Sequence, residues 1–298
     1  MNYSIHEIRT FAAVAEAGNQ SAAAKLCGLT PAAISAIVKR LEVALGVRLF
    51  ERTSRSTTLT PEGETFLASA LRALEILDQT QADLQGARKA VSGVIRVAVP
   101  SDLVRTALGR HLQAFQQQHP DIVLSLHLSD AVHNLQADAM DLAVRYGELP
   151  NSGLVARKLC NTRRITCAAP AYLTQHGTPR TPQDLAQHEC LAFWVGGRME
   201  ASWRFWVKGA WLRVPVRGHW CSDDSALVRQ WAIDGRGLVN KSDIDLADDI
   251  QAGHLVPVLT KYKGPDIPLS LVLGTAKPLP QRTRALADFL VERFASVT

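Results

Sequence analysis

Few of the features that announce chemistry are present in this chain. Its five cysteines (Cys27, Cys160, Cys167, Cys190 and Cys221) are odd in number, scattered and never spaced C-x-x-C. That excludes a disulfide framework or a zinc-cluster pattern. His188 and Cys190 lie two apart, but two ligands without a second pair do not make a metal site. The thiols read either as buried and inert or, for Cys160 with Cys167, as a redox pair. There is no G-x-S-x-G, Walker loop or zinc-protease motif, so no catalytic residue, metal or cofactor is assigned. No apolar run approaches the length of a bilayer span. The opening MNYSIHEIRTF lacks a basic start followed by an apolar stretch, the mark of a secretory signal. The expectation is a cytoplasmic protein without a membrane partner.

What is present is ordinary in amount and uneven in placement. The 298 residues are 47% hydrophobic and 20% charged, enough for two or three globular domains. The net charge of +5 permits an anionic partner without requiring one. More informative is the segment from Lys39 to Arg55, where Lys39, Arg40, Arg48, Arg52 and Arg55 face only Glu42 and Glu51.

That segment belongs to a helical N-terminus. Ile5, Ile8, Phe11, Ala12 and Ala15 make one helical stripe that stops at Gly18, and SAAAKLCG (21–28) is a second, short helix. The third is LTPAAISAIVKRLE (29–42), with Thr30 as cap and Pro31 in its first turn. Ile34, Ile37, Val38, Leu41 and Leu45 form its core face. The other stripe, Ala32, Ser35, Ala36 and Lys39, has almost no side chain until the lysine. After Gly46, VRLFERTSRSTTLTP alternates apolar and polar residues around a basic turn, as a small hairpin or wing does. Residues 1–60 therefore predict a winged helix-turn-helix. A small-residue face beside Lys39, Arg52 and Arg55 fits a helix entering the DNA major groove. Thr30 and Ser35 would bond bases or phosphates, and the methyls of Ala32 and Ala36 would touch thymine. The wing arginines would sit on phosphates or in the minor groove. The competing reading, a helix buried on both faces of a bundle, fits poorly with Lys39, Arg40 and the wing.

From Thr60 and Pro61 to about Gln85 a long helix carries Leu67, Leu74, Leu77 and Leu84 at near-heptad spacing, with Ala70 and Leu71 between them. Such a seam predicts a partner helix; the alternative is a helix lying on its own domain. GARKAVSG (86–93) reads as a hinge, making 61–92 a linker.

Beyond Gly93 strands and helices alternate, predicting a parallel α/β sheet. VIRVAV (94–99), IVLSLHL (122–128), LAVRYG (142–147) and LSLVLG (269–274) are strands of one lobe, about 93–163 and 268–298. RITCAAP (164–170), CLAFWV (190–195), WRFWVKGAWLRVPV (203–216) and GRGLVN (235–240) belong to a second, 164–267. The chain would thus cross twice between lobes. Ligands of such folds sit at strand carboxyl ends beside helix N-termini. That singles out Ser101, Asp102, Ser129, Arg145 and Tyr146 from the first lobe, and Phe193, Trp194, Asp223, Ser225, Asn240 and Lys241 from the second. Arg145 and Lys241 favour a small carboxylate. Asp102 and Asp223 either cap helices or recognise an amine. Trp203, Trp206 and Trp211 pack the ribbon or stack on a sugar.

The run FAAVAEAGNQSAAAKLCGLTPAAISAIVKRLEVALGVRLFERTSRSTTLTPEG closely resembles the N-terminal domain of the LysR-type transcriptional regulators. The resemblance rests on AVAEAG, SAAA, S-x-x-x-x-R-L-E, LG-x-R-LF-x-R and LTPEG, and continues more weakly through GVIRVAVP, DLAVRYGEL and GHLVPVL. Gln20, Cys27 and Ala36 depart from it, the last removing a long side chain from the DNA face. The resemblance implies a two-lobed effector-binding domain similar to periplasmic binding proteins, closing on a small molecule. It implies binding to double-stranded DNA as a homodimer joined through the linker helix, or a homotetramer, with RNA polymerase as a further candidate partner. The cleft positions named above correspond to places where family members contact effector.

Overall fold

Three glycines end the first three helices, α1 (Ile5–Ala17), α2 (Gln20–Cys27) and α3 (Pro31–Leu45). Gly18, Gly28 and Gly46 take φ of 66°, 64° and 72°, a left-handed conformation that costs glycine nothing. Their starts are equally explicit. Ser4 and Glu7 form a capping box, while Asn19 and Thr30 accept from the backbone N–H groups of Ala22 and Ala33.

The chain is described here from a computed structural model covering residues 3–52, 57–84, 91–128, 140–148, 155–195, 198–274 and 279–295. It divides into two compact units, Met1–Lys89 and Ala90–Thr298. In the first, Phe11, Val14, Ala23, Ala24, Ile34, Val38, Leu41, Leu49 and Phe50 make one core. The wing strands β1 (Phe50–Arg52) and β2 (Thr57–Leu59) pair antiparallel. Glu42 holds the wing's root, its Oε1 accepting from the N–H groups of Leu49 (2.9 Å) and Phe50 (3.3 Å). Thr60 Oγ1 donates to the Arg48 carbonyl at 2.7 Å and accepts from Gly63 N–H. The R-L-E and L-T-P-E-G stretches are thus fasteners of the wing. Helix α4 (Pro61–Leu84) follows. Its predicted seam divides: Ala70 and Leu74 are buried within the unit, whereas Leu71 and Leu77 are exposed, as is Ile76 outside the predicted seam. The side chain of Leu84 lies outside what is described.

The second unit starts with β3 (Gly93–Val99), α5 (Ser101–Arg105), α6 (Ala107–Gln118), β4 (Ile122–Leu128) and β5 (Leu142–Tyr146). β6 (Val155–Ala168) then leads to α7 (Pro170–His176), a 3₁₀ turn (Pro182–Gln187), β7 (Ala192–Val195) and β8 (Arg198–Met199). The ribbon β9 (Ser202–Val207) and β10 (Ala210–Pro215) precedes β11 (Cys221–Ser222), α8 (Ser225–Ile233), β12 (Val239–Ser242) and α9 (Asp243–Gln251). β13 (Val256–Val258), β14 (Asp266–Leu273) and α10 (Gln281–Ala295) complete the chain.

The expected parallel sheet is mixed. In the large sheet, among the described residues, only β4–β3–β5 run parallel; β14 is antiparallel to β5 and β6, and β12 and β13 are antiparallel to β6. The cause is β6, whose 14 residues serve both lobes. Its first half pairs with β14 in the first lobe and its second half with β12 and β13 in the second. The first lobe packs α6 and α10 on its sheet through Leu108, Leu112, Phe115, Leu286, Leu290 and Phe294. The second has separate clusters around Trp203, Phe205 and Leu238, and around Cys167, Val228 and Leu246.

This geometry decides between the two cysteine readings. Cys160 and Cys167 lie seven residues apart on the same strand, β6, and a strand's rise separates them by about 23 Å. No disulfide can bridge that span. Burial pushes the thiols of Cys160, Cys167 and Cys190 up, to about 11, 12 and 12, away from reactive thiolates. Trp203 is buried in its core cluster, whereas Trp206 and Trp211 are exposed on the ribbon and meet edge to face at 5.2 Å.

Candidate functional site

In the first unit, α3 presents Thr30, Pro31, Ala32, Ala36 and Lys39 to solvent, with Ser35 half-buried among them. Ile34, Ile37, Val38 and Leu41 are buried on the opposite side. Arg40, also exposed, is held by Glu7 at 3.2 Å. Arg52 lies in β1 with its side chain outside what is described, and Arg55 falls outside the described residues altogether. What remains is a low, nearly flat helix face with a lysine at its end. Backbone and groove floor of a large partner can come close to it, since nothing longer than Thr30 or Ser35 intervenes before Lys39.

The second unit contains a cleft of about 630 Å³ between the lobes. Six of the predicted residues line it: Arg145, Tyr146, Phe193, Ser225, Asn240 and Lys241. Ser101 and Asp102 are buried behind it. Ser101 Oγ donates to Asp224 Oδ1 at 2.6 Å, tying α5 to the start of α8. Trp194 and Asp223 are exposed and do not line the cleft. Side chains alternate along β7, so Phe193 facing inward turns Trp194 out. One residue past Asp223, Asp224 is the cap of α8, accepting from Ala226 and Leu227 N–H. Ser129 lies outside the described residues.

Sequence reasoning missed Arg164, Glu200, Arg204 and Asp245, all of which line the cleft. Arg164 lies on β6, whose extent no local pattern reveals. Its Nη1 donates to the Asn240 carbonyl at 2.7 Å, and its guanidinium sits 5.3 Å from the Phe193 ring centre, 4.0 Å from Glu200. Asp245 had a local signal, an acidic first turn of α9 directly after Asn240 and Lys241.

The electrostatics of the site centre on a buried cluster. Lys241, 3% exposed, places Nζ 2.8 Å from Oδ2 of Asp102, which is 1% exposed. The same ammonium donates to the Ser225 carbonyl at 3.2 Å and lies 5.5 Å from the Phe193 ring centre. Arg229 reaches Asp102 at 3.6 Å while bonded to Asp249 at 2.7 Å. Asp245, 3% exposed, accepts from the Tyr146 hydroxyl at 2.6 Å. Burial first, then the neighbouring Asp102 carboxylate, push Asp245 up to about 7, against the opposing pull of Lys241, Tyr146 and Arg164. Burial likewise holds the Tyr146 phenol well above its ordinary value, with Asp245 adding to it, so it remains a donor. The cleft therefore offers cations (Arg145, Arg164, Arg204, Lys241), an aromatic wall and one carboxyl poised near neutrality. Such a mixture suits a small anionic molecule with some apolar surface. Among the described residues, no group of three or more His, Cys, Asp or Glu could hold a metal ion.

Comparison with known proteins places both units. Residues 5–64 match the family model described as bacterial regulatory helix-turn-helix protein, lysR family, and residues 88–295 match the LysR substrate binding domain. The chain is 33% identical to the HTH-type transcriptional regulator CrgA of Neisseria meningitidis serogroup C (strain 8013), over 99% of both chains. It is 31% identical to the HTH-type transcriptional regulator DmlR of Escherichia coli (strain K12), over 98% of this chain and 94% of that one. The structure of CrgA, a LysR-type transcriptional regulator from Neisseria meningitidis, superposes with a TM-score of 0.64 at 32% identity, covering 97% of this chain and 98% of that one.

Proposed function

Because the chain belongs to the LysR-type transcriptional regulators, we propose residue roles for its two working surfaces and a chemical class for its effector. It is a DNA-binding regulator with an effector-binding domain of two α/β lobes. Helix α3 enters the major groove, with Thr30 and Ser35 making short polar contacts and Pro31, Ala32 and Ala36 allowing close approach. Lys39 and the wing residues Arg52 and Arg55 hold phosphates. The effector is a small organic acid bound in the 630 Å³ cleft. Its carboxylate meets Arg164, Arg145 and Lys241, and its apolar part lies against Phe193, with Tyr146 and Asn240 supplying polar contacts. Ser101 and Asp102 act from behind the cleft wall. Asp224, not Asp223, joins them as the cap that links the lobes. The observation carrying this reading is the convergence of Arg145, Arg164 and Lys241 on one cavity.

The regulator works in the cytoplasm as a homodimer joined through α4, whose exposed Leu71, Ile76 and Leu77 supply the apolar face. It pairs further into a homotetramer, and RNA polymerase is a candidate contact. It performs no catalysis. Two measurements test the proposal. A gel shift should show salt-dependent preference for DNA flanking the protein's own gene over random DNA, and equal affinity for both would refute the DNA reading. A thermal-shift screen of organic acids and amines should raise the melting temperature with acids only; stabilisation by amines alone would refute the effector class.

A further inference from the structure

We propose that the cleft takes up its carboxylate ligand together with one proton, which lands on Asp245. The inference rests on the organic-acid reading of the effector and adds a rule for when that effector binds. Titratable or charged groups on five other elements act on Asp245. These are Tyr146 from β5, Asp102 from α5, Lys241 from β12, Arg164 from β6 and Arg229 from α8, with Asp249 one turn along α9 itself. Asp102, Asp245 and Asp249 are all buried, and Lys241 is the buried cation among them, with Arg229 partly buried beside it. Lys241 is committed to Asp102 at 2.8 Å and Arg229 to Asp249 at 2.7 Å. The hydrogen bond reaching Asp245 comes from a neutral phenol, at 2.6 Å.

Asp245 nevertheless lines the cleft on the same wall as Lys241 and Asn240. A ligand carboxylate attracted by Lys241 and Arg164 would enter beside an ionised Asp245 and be repelled by it. With a proton on Asp245 the repulsion vanishes, and the carboxyl O–H becomes a donor toward the incoming anion. The folded-state value of about 7 leaves this proton available near neutrality, and a bound anion raises it further. Affinity should therefore be flat at acid pH and fall with a limiting slope of about tenfold per pH unit above neutrality. An amine would show the opposite trend, binding better as Asp245 ionises. Asp245 is thus a specificity-determining residue that admits acids and discriminates against amines below neutrality.

The test uses the full chain and succinate, pyruvate and benzoate as probes, with titration calorimetry at about pH 6 and pH 8 in two buffers of different ionisation enthalpy. The expected result is that affinity for a bound acid drops at least fivefold between the two pH values, with net uptake of up to one proton on binding. In Asp245→Asn, which keeps an acceptor for Tyr146 and mimics the protonated carboxyl in charge, the ratio should collapse to within about twofold. Tyr146→Phe removes a bond that holds the Asp245 value down and should move the drop to higher pH. If an acid binds equally at both pH values without proton exchange, the proton linkage is wrong and the organic-acid reading survives. If none of the acids binds at either pH, both fall. Carboxyl carbon NMR of the ligand-free protein, with Asp245 assigned by its loss in Asp245→Asn, gives a check independent of any ligand. Titration near neutrality supports the proposal, and titration below about pH 5 overturns it.

Discussion

Removing either member of the Asp102–Lys241 pair should destabilise the Ala90–Thr298 unit, with opposite dependence on pH. Both groups are almost fully buried and 2.8 Å apart. Breaking a buried pair from one side typically costs about 3–5 kcal/mol because an uncompensated charge remains. In a domain of this size each kcal/mol lowers the melting temperature by about 2–4 °C, so Asp102→Ala and Lys241→Ala should each lose roughly 10 °C. The neighbours then decide the trend. In Lys241→Ala, Asp245 loses a cation that holds its proton affinity down. The carboxylates it faces are relieved only by protonation, so the deficit grows as pH rises from about 5.5 to 8. In Asp102→Ala, Asp245 loses the carboxylate that pushed it up. It ionises more readily and becomes the counter-ion of Lys241, so the deficit shrinks over the same range. The assay is calorimetry of both single variants and the double variant at the two pH values. The double variant should be less destabilised than the sum by at least about 1 kcal/mol, the sign of direct coupling. Additivity within about 0.5 kcal/mol, or identical pH trends in the two single variants, would refute the reasoning.

Three further outcomes follow from particular contacts. A Cβ on Gly63 would lie 2.1 Å from the Leu49 carbonyl oxygen; Gly63→Ala should cost about 1–3 kcal/mol by overpacking, read as an earlier urea transition of the N-terminal unit. Lys39→Ala should weaken DNA binding about equally across sequences and lower the slope of log affinity against log salt by about 1, measured by fluorescence anisotropy. At about pH 7.5, iodoacetamide should label the exposed Cys221 and leave Cys160, Cys167 and Cys190 unmodified, as mass spectrometry of the native protein would show.

How much of this was legible in the sequence depended on whether a feature is local. Capping side chains and terminal glycines fix α1, α2 and α3 within a few residues, so the helix boundaries and the small face of α3 could be read directly. The strand IVLSLHL coincides with β4, and LAVRYG ends one residue beyond β5. What stayed hidden was long-range. β6 was read only from Arg164 onward because its first half alternates weakly and precedes no turn, yet that half makes the sheet mixed. The cleft followed the same division. Residues at strand ends next to one lobe's turn (Arg145, Tyr146, Asn240, Lys241) could be nominated from topology. Arg164 and Arg204, brought in by the crossing strand and the Trp-rich ribbon, could not. Asp102 was legible as a residue and not as a partner, since nothing local pairs it with Lys241 on a distant strand.

The two proposed surfaces explain each other through energy. Helix α3 presents few groups able to read bases: two short hydroxyls, a run of methyls and Lys39. A single such unit would bind DNA through phosphate contacts and shape, with modest discrimination. In the proposed assembly, linking two or more units through α4 would multiply that affinity by effective concentration, provided their spacing matches the site. Regulation then needs no change at α3. An effector that favours one closure of the lobes would have only to alter the spacing of linked units. A mismatch in spacing removes the multivalent gain while leaving each contact intact. The lobes here are held by ion pairs and hydrogen bonds, Lys241–Asp102, Ser101–Asp224 and Tyr146–Asp245, and all three adjoin the cleft. A ligand competing for Lys241 would change the balance of that joint where it binds. On the proposed reading, the sparse DNA face and the charged, buried joint would belong to one design: weak units would suffice because their arrangement would be what the effector controls.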